Sequence, residues 1–267
     1  MIASYLAARF YDDNLSYSTI NVIRSAISAT HTPVDNVPVG QHPLICRLLK
    51  GMFNARPPVL KIIKPWKVSL VLDALRTWDV ARKLSLRLLT LKTVFLLALV
   101  SLKRASDIHR IVMLPDVFYL GSRRFCAQPV GLGKVDRPGH VPAPILINAF
   151  LEDPCIDPVF YLNCYVRRTE QLRGSHKQLF ISFKKPYKPV SVQTISRWLV
   201  NTLNICGVVG VSGHSTRGVG ATTAAQAGVN IDAILSAADW TGPNSFCRHY
   251  FKPDMFSVSR AILNSAE

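Results

Sequence analysis

Residues 213–228 read GHSTRGVGATTAAQAG. His214 and Arg217 stand three apart, the spacing of neighbours on one face of a helix, so a helix beginning here turns both to the same side. The small-residue run behind them, 218–228, lets that helix lie very close to a neighbour. Alone, a His-x-x-Arg is weak, because chance supplies one in about a quarter of chains this long and a surface pair explains it equally well. Its weight comes from residues placed around it in order. Arg104 and Asp107 lie upstream, Lys134 sits in a predicted hairpin turn, and Trp240 and Tyr250 follow toward the C-terminus.

The composition narrows what such a set could act on. The chain of 267 residues carries 32 Lys and Arg against 16 Asp and Glu, a formal net charge of +16, and is 49% hydrophobic. That hydrophobic fraction excludes a disordered polycation, and the length allows one large domain or two unequal ones. A twofold basic surplus on a folded chain calls for a polyanionic partner, nucleic acid or an anionic membrane surface. The most apolar stretch, 88–102, is interrupted by Lys92 and falls short of the roughly 20 residues a spanning helix needs, so it reads as a buried core helix. No membrane partner is expected. Residues 1–9 lack a charged region ahead of an apolar run, so no signal peptide is expected and the chain is placed inside the cell.

Cys46, Cys126, Cys155, Cys164, Cys206 and Cys247 include no two that are two to four residues apart, as a zinc knuckle or redox pair requires. They are expected as free thiols serving as small core residues, with no metal site. The adjacent pairs Asp12 with Asp13 and Glu152 with Asp153 point apart in turn-like contexts, whereas a two-metal nuclease needs convergent carboxylates.

Apolar spacing predicts two helices in residues 4–30, the second capped by Ser18 and facing inward through Ile20, Ile23 and Ile27. A short helix over 44–53 follows, then a proline- and lysine-rich connector with Lys61 and Lys64, where the chain is divided near residue 60. Helices are predicted over 68–77 and 84–102, the latter running on toward Ile111. Short runs at 117–120, 125–130 and 141–147 predict a small antiparallel sheet. Helices return at 158–168 and 191–204, with several short ones after His214. The fold class is mainly α with a small antiparallel β-sheet.

The ordered set Arg104, Lys134, His214, Arg217, Trp240 and Tyr250 resembles that of the tyrosine recombinases, or phage-type integrases. The flanking text, KVDRPG at 134–139, HSTR at 214–217 and DW at 239–240 leading through Phe246 to Tyr250, is similar to recombinases of the DIRS and Ngaro retroelements. The resemblance spans nearly the whole chain. It implies a helical core-binding, SAM-like DNA-binding domain over 1–58, with part of its usual N-terminal helices missing, and a catalytic domain over 66–267. It further implies cleavage and rejoining of double-stranded DNA through a 3′-phosphotyrosyl intermediate, with no cofactor, metal or ATP. A homo-oligomer, a tetramer on DNA with the C-terminal segment exchanged in trans, and a nuclear location follow from the same likeness.

The chemistry fits the residue types independently of the name. Displacement at a phosphodiester builds negative charge on the oxygens of a five-coordinate phosphorus, which fixed cations must meet. Arg104 and Arg217 suit this, because guanidinium is permanently charged and donates two parallel hydrogen bonds. Asp107, one turn beyond Arg104, is placed to orient Arg104 or His214. Tyr250 is the nucleophile, His214 handles its proton, Trp240 donates one indole N–H, and Lys134 protonates the leaving oxygen. Lys61, Lys64, Arg137, Lys184 and Lys185 are assigned to DNA binding, with Lys188, Arg167 and Arg168 as further phosphate contacts or a solvated face. His109 and His249 are read as solvent or packing residues. Three other readings stand beside this one: a catalytically silent DNA-binding relative, a type IB topoisomerase, which usually has Lys where His214 stands, and an unrelated basic helical adaptor.

Overall fold

The computed structural model describes residues 1–59, 66–133, 136 and 142–249. The chain divides into two compact units, Met1–Ile63 and Lys64–Glu267.

The first unit packs α1 (Ile2–Tyr11), α2 (Tyr17–Thr30) and α3 (Pro43–Ala55) around Leu6, Phe10, Ile20, Ile45, Leu49 and Met52. The cap of α2 is Ser16, not Ser18. Ser16 has the extended backbone of a cap and its hydroxyl accepts from the Thr19 N–H, whereas Ser18 already lies in the first turn. Arg56 ends α3 and closes the unit, donating to the Phe10 and Leu15 carbonyls at 2.7 and 2.8 Å with its guanidinium over the Phe10 ring.

The second unit is built around α5 (Leu86–Ser101), whose residues from Leu89 to Leu99 are buried on every side. Packed on it are α7 (Pro158–Thr169), α8 (Val192–Ile205) and α9 (Ser215–Gln226), with α4 (Val68–Arg76) completing the layer. A helix apolar all round is a core helix or a membrane span. Among the described residues, no helix is long and apolar enough to cross a membrane. The expected continuation of α5 to Ile111 does not occur, because Leu102 adopts a left-handed backbone (φ 55°) and α6 (Ala105–His109) begins separately. The small residues of α9 meet α5 at backbone distance. A Cβ on Gly220 would stand 2.9 Å from the Leu99 carbonyl oxygen.

The sheet is antiparallel, in the order β1 (Phe118–Leu120), β2 (Arg124–Ala127) and β3 (Ile145–Asn148). Phe125, Ala127, Ile145 and Ile147 turn inward while Tyr119 and Leu146 stay exposed, the alternation of a half-buried sheet. Two short helices, α10 (Ile231–Ala237) and α11 (Pro243–His249), follow α9.

The cysteines are free, but only Cys206 is buried, and Cys46, Cys155 and Cys247 are exposed. The expectation of core thiols is corrected by placement. Cys126, for example, alternates along β2 with the inward Phe125 and Ala127.

Lys92 lies in the middle of α5 with no exposed surface. Its ammonium donates to the Leu75 carbonyl at 2.6 Å and stands 4.3 Å from the centre of the Tyr161 ring. Burial pushes its pKa down to about 8 and that of the Tyr161 hydroxyl up to about 12. An unfolded lysine keeps its proton to about pH 10.4, so between those values the unfolded chain binds more protons and stability rises with pH. Lys92→Met is therefore expected to stabilise the protein by about 2 kcal/mol at pH 7, with the gain shrinking toward pH 10. Urea unfolding at the two pH values checks this, and a loss at pH 7 would mean that the carbonyl and ring contacts outweigh burial of the charge.

Candidate active site

Four chain segments supply the candidate residues. The first is the α5–α6 junction. The left-handed turn at Leu102 sends Lys103 inward and leaves Arg104 as the N-cap of α6. Asp107, one turn on, accepts the Arg104 backbone N–H at 3.0 Å and lies 3.9 Å from its guanidinium. Its other oxygen accepts from Arg110 Nη2 at 3.2 Å. Asp107 thus holds the Arg104 backbone by a hydrogen bond and stands within ion-pair distance of its guanidinium. Arg104 Nη1 is shielded from solvent and has no hydrogen-bond partner among the described residues.

The second segment is the base of the β2–β3 connection. Arg110 Nη1 donates to the Gly131 carbonyl and, at 3.4 Å, to Asp136. Asp136 in turn accepts the Gly133 N–H at 2.6 Å. Any side chain at Gly133 would overlap the Arg110 guanidinium, so this turn is drawn tight against α6. Lys134, Arg137, Lys61 and Lys64 lie outside the described residues.

The third segment is the start of α9. His214 stands at the N-cap position of the helix and is exposed, while Arg217 is buried, 2% accessible. Trp66 Nε1 donates to Ser215 Oγ at 3.1 Å, and Ser215 Oγ donates to the Ser212 carbonyl at 2.6 Å, which fixes the first turn. Gly213 lets that turn approach α8, since a Cβ there would stand 2.8 Å from the Ser196 carbonyl oxygen.

The fourth segment follows α10. Arg217 Nη2 donates to the Ala238 carbonyl, and its guanidinium lies 4.6 Å from the centre of the Trp240 ring, a cation–π contact. Trp240 packs on Phe246 of α11, ring centres 5.4 Å apart. Between Ala238 and Trp240, Asp239 has a left-handed backbone (φ 50°) and forms a buried ion pair with Lys103. Arg104 is thereby joined to Trp240 and Arg217 through Lys103 and Asp239. Tyr250 and the C-terminal segment after it lie outside the described residues.

Sequence reasoning missed three members of this arrangement: Asp239 as partner of Lys103, and Arg110 with Asp136. Asp136 and Asp239 fall within the quoted KVDRPG and DW stretches, but their partners Arg110 and Lys103 lie far from them in the chain, so the pairing is not announced locally. Of the assigned DNA-binding residues, Lys184 and Lys185 are exposed. Lys184, Lys188 and Arg197 line a cleft of about 550 Å³ with Phe183 and Trp198. Arg168 is exposed, and its Nη1 donates to the Ala81 and Leu84 carbonyls, which holds the loop before α5. Asp153 caps the turn at Cys155 and pairs with Arg76. Among the described residues, no three His, Cys, Asp or Glu converge as a metal site would need.

No family model and no curated protein matches the chain. Solved structures do. The Tn1549 transposon integrase in complex with transposon right end DNA superposes with a TM-score of 0.63 at 14% identity, over 98% of this chain and 84% of that one. The XerH site-specific recombinase bound to difH substrate gives 0.62 at 14% identity, over 100% and 72%. A lambda integrase dimer bound to a core site gives 0.52 at 13% identity, over 95% and 81%. At such identities the likeness carries the architecture, and with the mainly helical second unit and its three-stranded sheet it establishes that this chain has the tyrosine-recombinase fold.

Proposed function

We propose that the chain cleaves and rejoins DNA through Tyr250, as a recombinase or integrase of a mobile element. The observation that carries this is a pair of inward-held arginines. Arg104, braced by Asp107, keeps one buried donor without an acceptor, and Arg217 is buried against Trp240. Burying guanidinium costs free energy, and a phosphate oxygen is an acceptor for the open donor of Arg104.

In the reaction, Tyr250 Oη attacks phosphorus and the bond to the 5′ oxygen breaks. His214 takes the phenolic proton, and Lys134 delivers a proton to the leaving oxygen. Arg104, Arg217 and the Trp240 N–H hold the charge that builds on the non-bridging oxygens. The 3′-phosphotyrosyl link keeps the bond energy, so attack by a 5′-hydroxyl reverses the step without ATP. Residues 1–58 serve as the core-binding domain and 66–267 as the catalytic domain, and each binds double-stranded DNA. The XerH and lambda integrase structures contain DNA, one with an integrase tetramer on a Holliday junction, which supports a DNA-bound homo-oligomer here. The likeness to retroelement recombinases carries the nuclear assignment and the exchange of the C-terminal segment.

The test is incubation with nicked duplexes bearing the ends of the element that encodes the chain. A protein–DNA adduct that survives denaturant is expected. Binding should weaken with salt, log K falling by about 0.9 per log unit of salt for each phosphate neutralised. DNA binding with no adduct would leave a silent DNA-binding relative, and a flat salt response would remove nucleic acid as the partner.

A further inference from the structure

We infer that Asp239 and Lys103 form a positioning latch that sets the spacing between the two arginine segments of the site, an inference that rests on the strand-transfer reading above. The pair is almost completely buried, with side-chain exposures of 1% for Lys103 and 6% for Asp239. Both partners are otherwise satisfied. Lys103 Nζ also donates to the Ala143 carbonyl at 3.0 Å, and the second Asp239 oxygen accepts the Ala143 N–H at 2.8 Å. Each contact ends one residue or a short step from a proposed reacting group. Lys103 precedes Arg104, Asp239 precedes Trp240, Ala238 holds Arg217 through its carbonyl, and Ala143 leads into β3 at the end of the connection that carries Lys134.

The choice of residue supports a side-chain role. At φ 50° the backbone of position 239 suits glycine best, and an aspartate there is a tolerated second choice. A residue kept only for the turn would be glycine. Aspartate adds a carboxylate, and that carboxylate makes two contacts, with Lys103 Nζ and with the Ala143 N–H, that tie together three separate stretches of chain. Removing either charge strands the other in the interior, which destabilises strongly, while removing both does not. The latch and the stability of the pair are thus separable by experiment.

Asp239→Gly gives the backbone its preferred residue and removes the latch. It is expected to bind nicked DNA with a dissociation constant within about threefold of the parent but to form the covalent adduct roughly 10- to 100-fold more slowly at saturating DNA, because small misplacements of reacting groups have effects of that size. The double variant Lys103→Met/Asp239→Gly should recover the melting temperature lost by the single one and still cleave slowly. Hydrogen exchange at the Ala143 amide should speed up at least about tenfold in both. Parent-like cleavage by Asp239→Gly, or recovery of cleavage together with stability in the double variant, overturns the latch. If the parent chain itself forms no adduct, the strand-transfer reading fails separately, and unchanged Ala143 exchange in Asp239→Gly then overturns the latch without reference to activity.

Discussion

Tyr250→Phe is expected to bind DNA as the parent chain does and to form no denaturant-resistant adduct, a loss on the order of 10⁴-fold or more. The substitution removes one oxygen and leaves the ring. Binding comes from many phosphate contacts distributed over a basic surface, so a single neutral hydroxyl contributes little to it. Covalent chemistry depends on that hydroxyl alone, and loss of a nucleophile is not made good by its neighbours. The place of Tyr250 in the chain favours the role. Four residues before it, Phe246 is buried on Trp240, whose ring meets Arg217, so the segment that leads into Tyr250 is anchored on a proposed phosphate-binding arginine. Nicked substrate traps the adduct and makes the comparison quantitative on a denaturing gel. An adduct of normal yield from the Phe variant would assign the nucleophile to another residue, and a variant that lost DNA binding would show a structural role for the hydroxyl.

The elements that sequence alone disclosed are those whose signal is local. The buried helix α5 announces itself by an apolar run with no polar face, and the sheet by short apolar runs set between turn residues such as Gly121 and Ser122. The end of α5 was hidden, because leucine at position 102 gives no hint of a left-handed turn, whereas the left-handed Asn14 and Asn36 sit where asparagine is at home. Cysteine composition misled for a similar reason, since burial frequency describes the residue type and not the side of the element on which Cys46 or Cys155 falls. Of the candidate site, residue type and order singled out His214, Arg217, Trp240 and Tyr250, and among the described residues Arg217 and Trp240 are in contact. The buried pairs that support it were not singled out, because Lys103 and Asp239 are 136 residues apart in the chain and nothing local to either names the other as its partner.

Arg217→Lys and Arg217→Met separate charge, geometry and packing at the most buried charged position of the site. Arg217 is 2% exposed, donates to the Ala238 carbonyl and lies over the Trp240 ring. Lysine keeps the charge but not the planar fork that grips two phosphate oxygens, so cleavage by Arg217→Lys is expected to fall by roughly 10² to 10³, equivalent to about 3–4 kcal/mol of transition-state stabilisation. Methionine keeps much of the volume against Trp240 and removes the charge, so its cleavage should fall further still. Its melting temperature should fall as well, because methionine gives up the hydrogen bond to the Ala238 carbonyl and the contact of the guanidinium with the Trp240 ring. A loss of cleavage at saturating DNA that far exceeds the loss of folded protein identifies a residue held for its ligand. If Arg217→Met instead cleaves in proportion to its folded fraction, Arg217 is a packing residue beneath Trp240, and the second phosphate-binding cation has to be another basic side chain of the same unit.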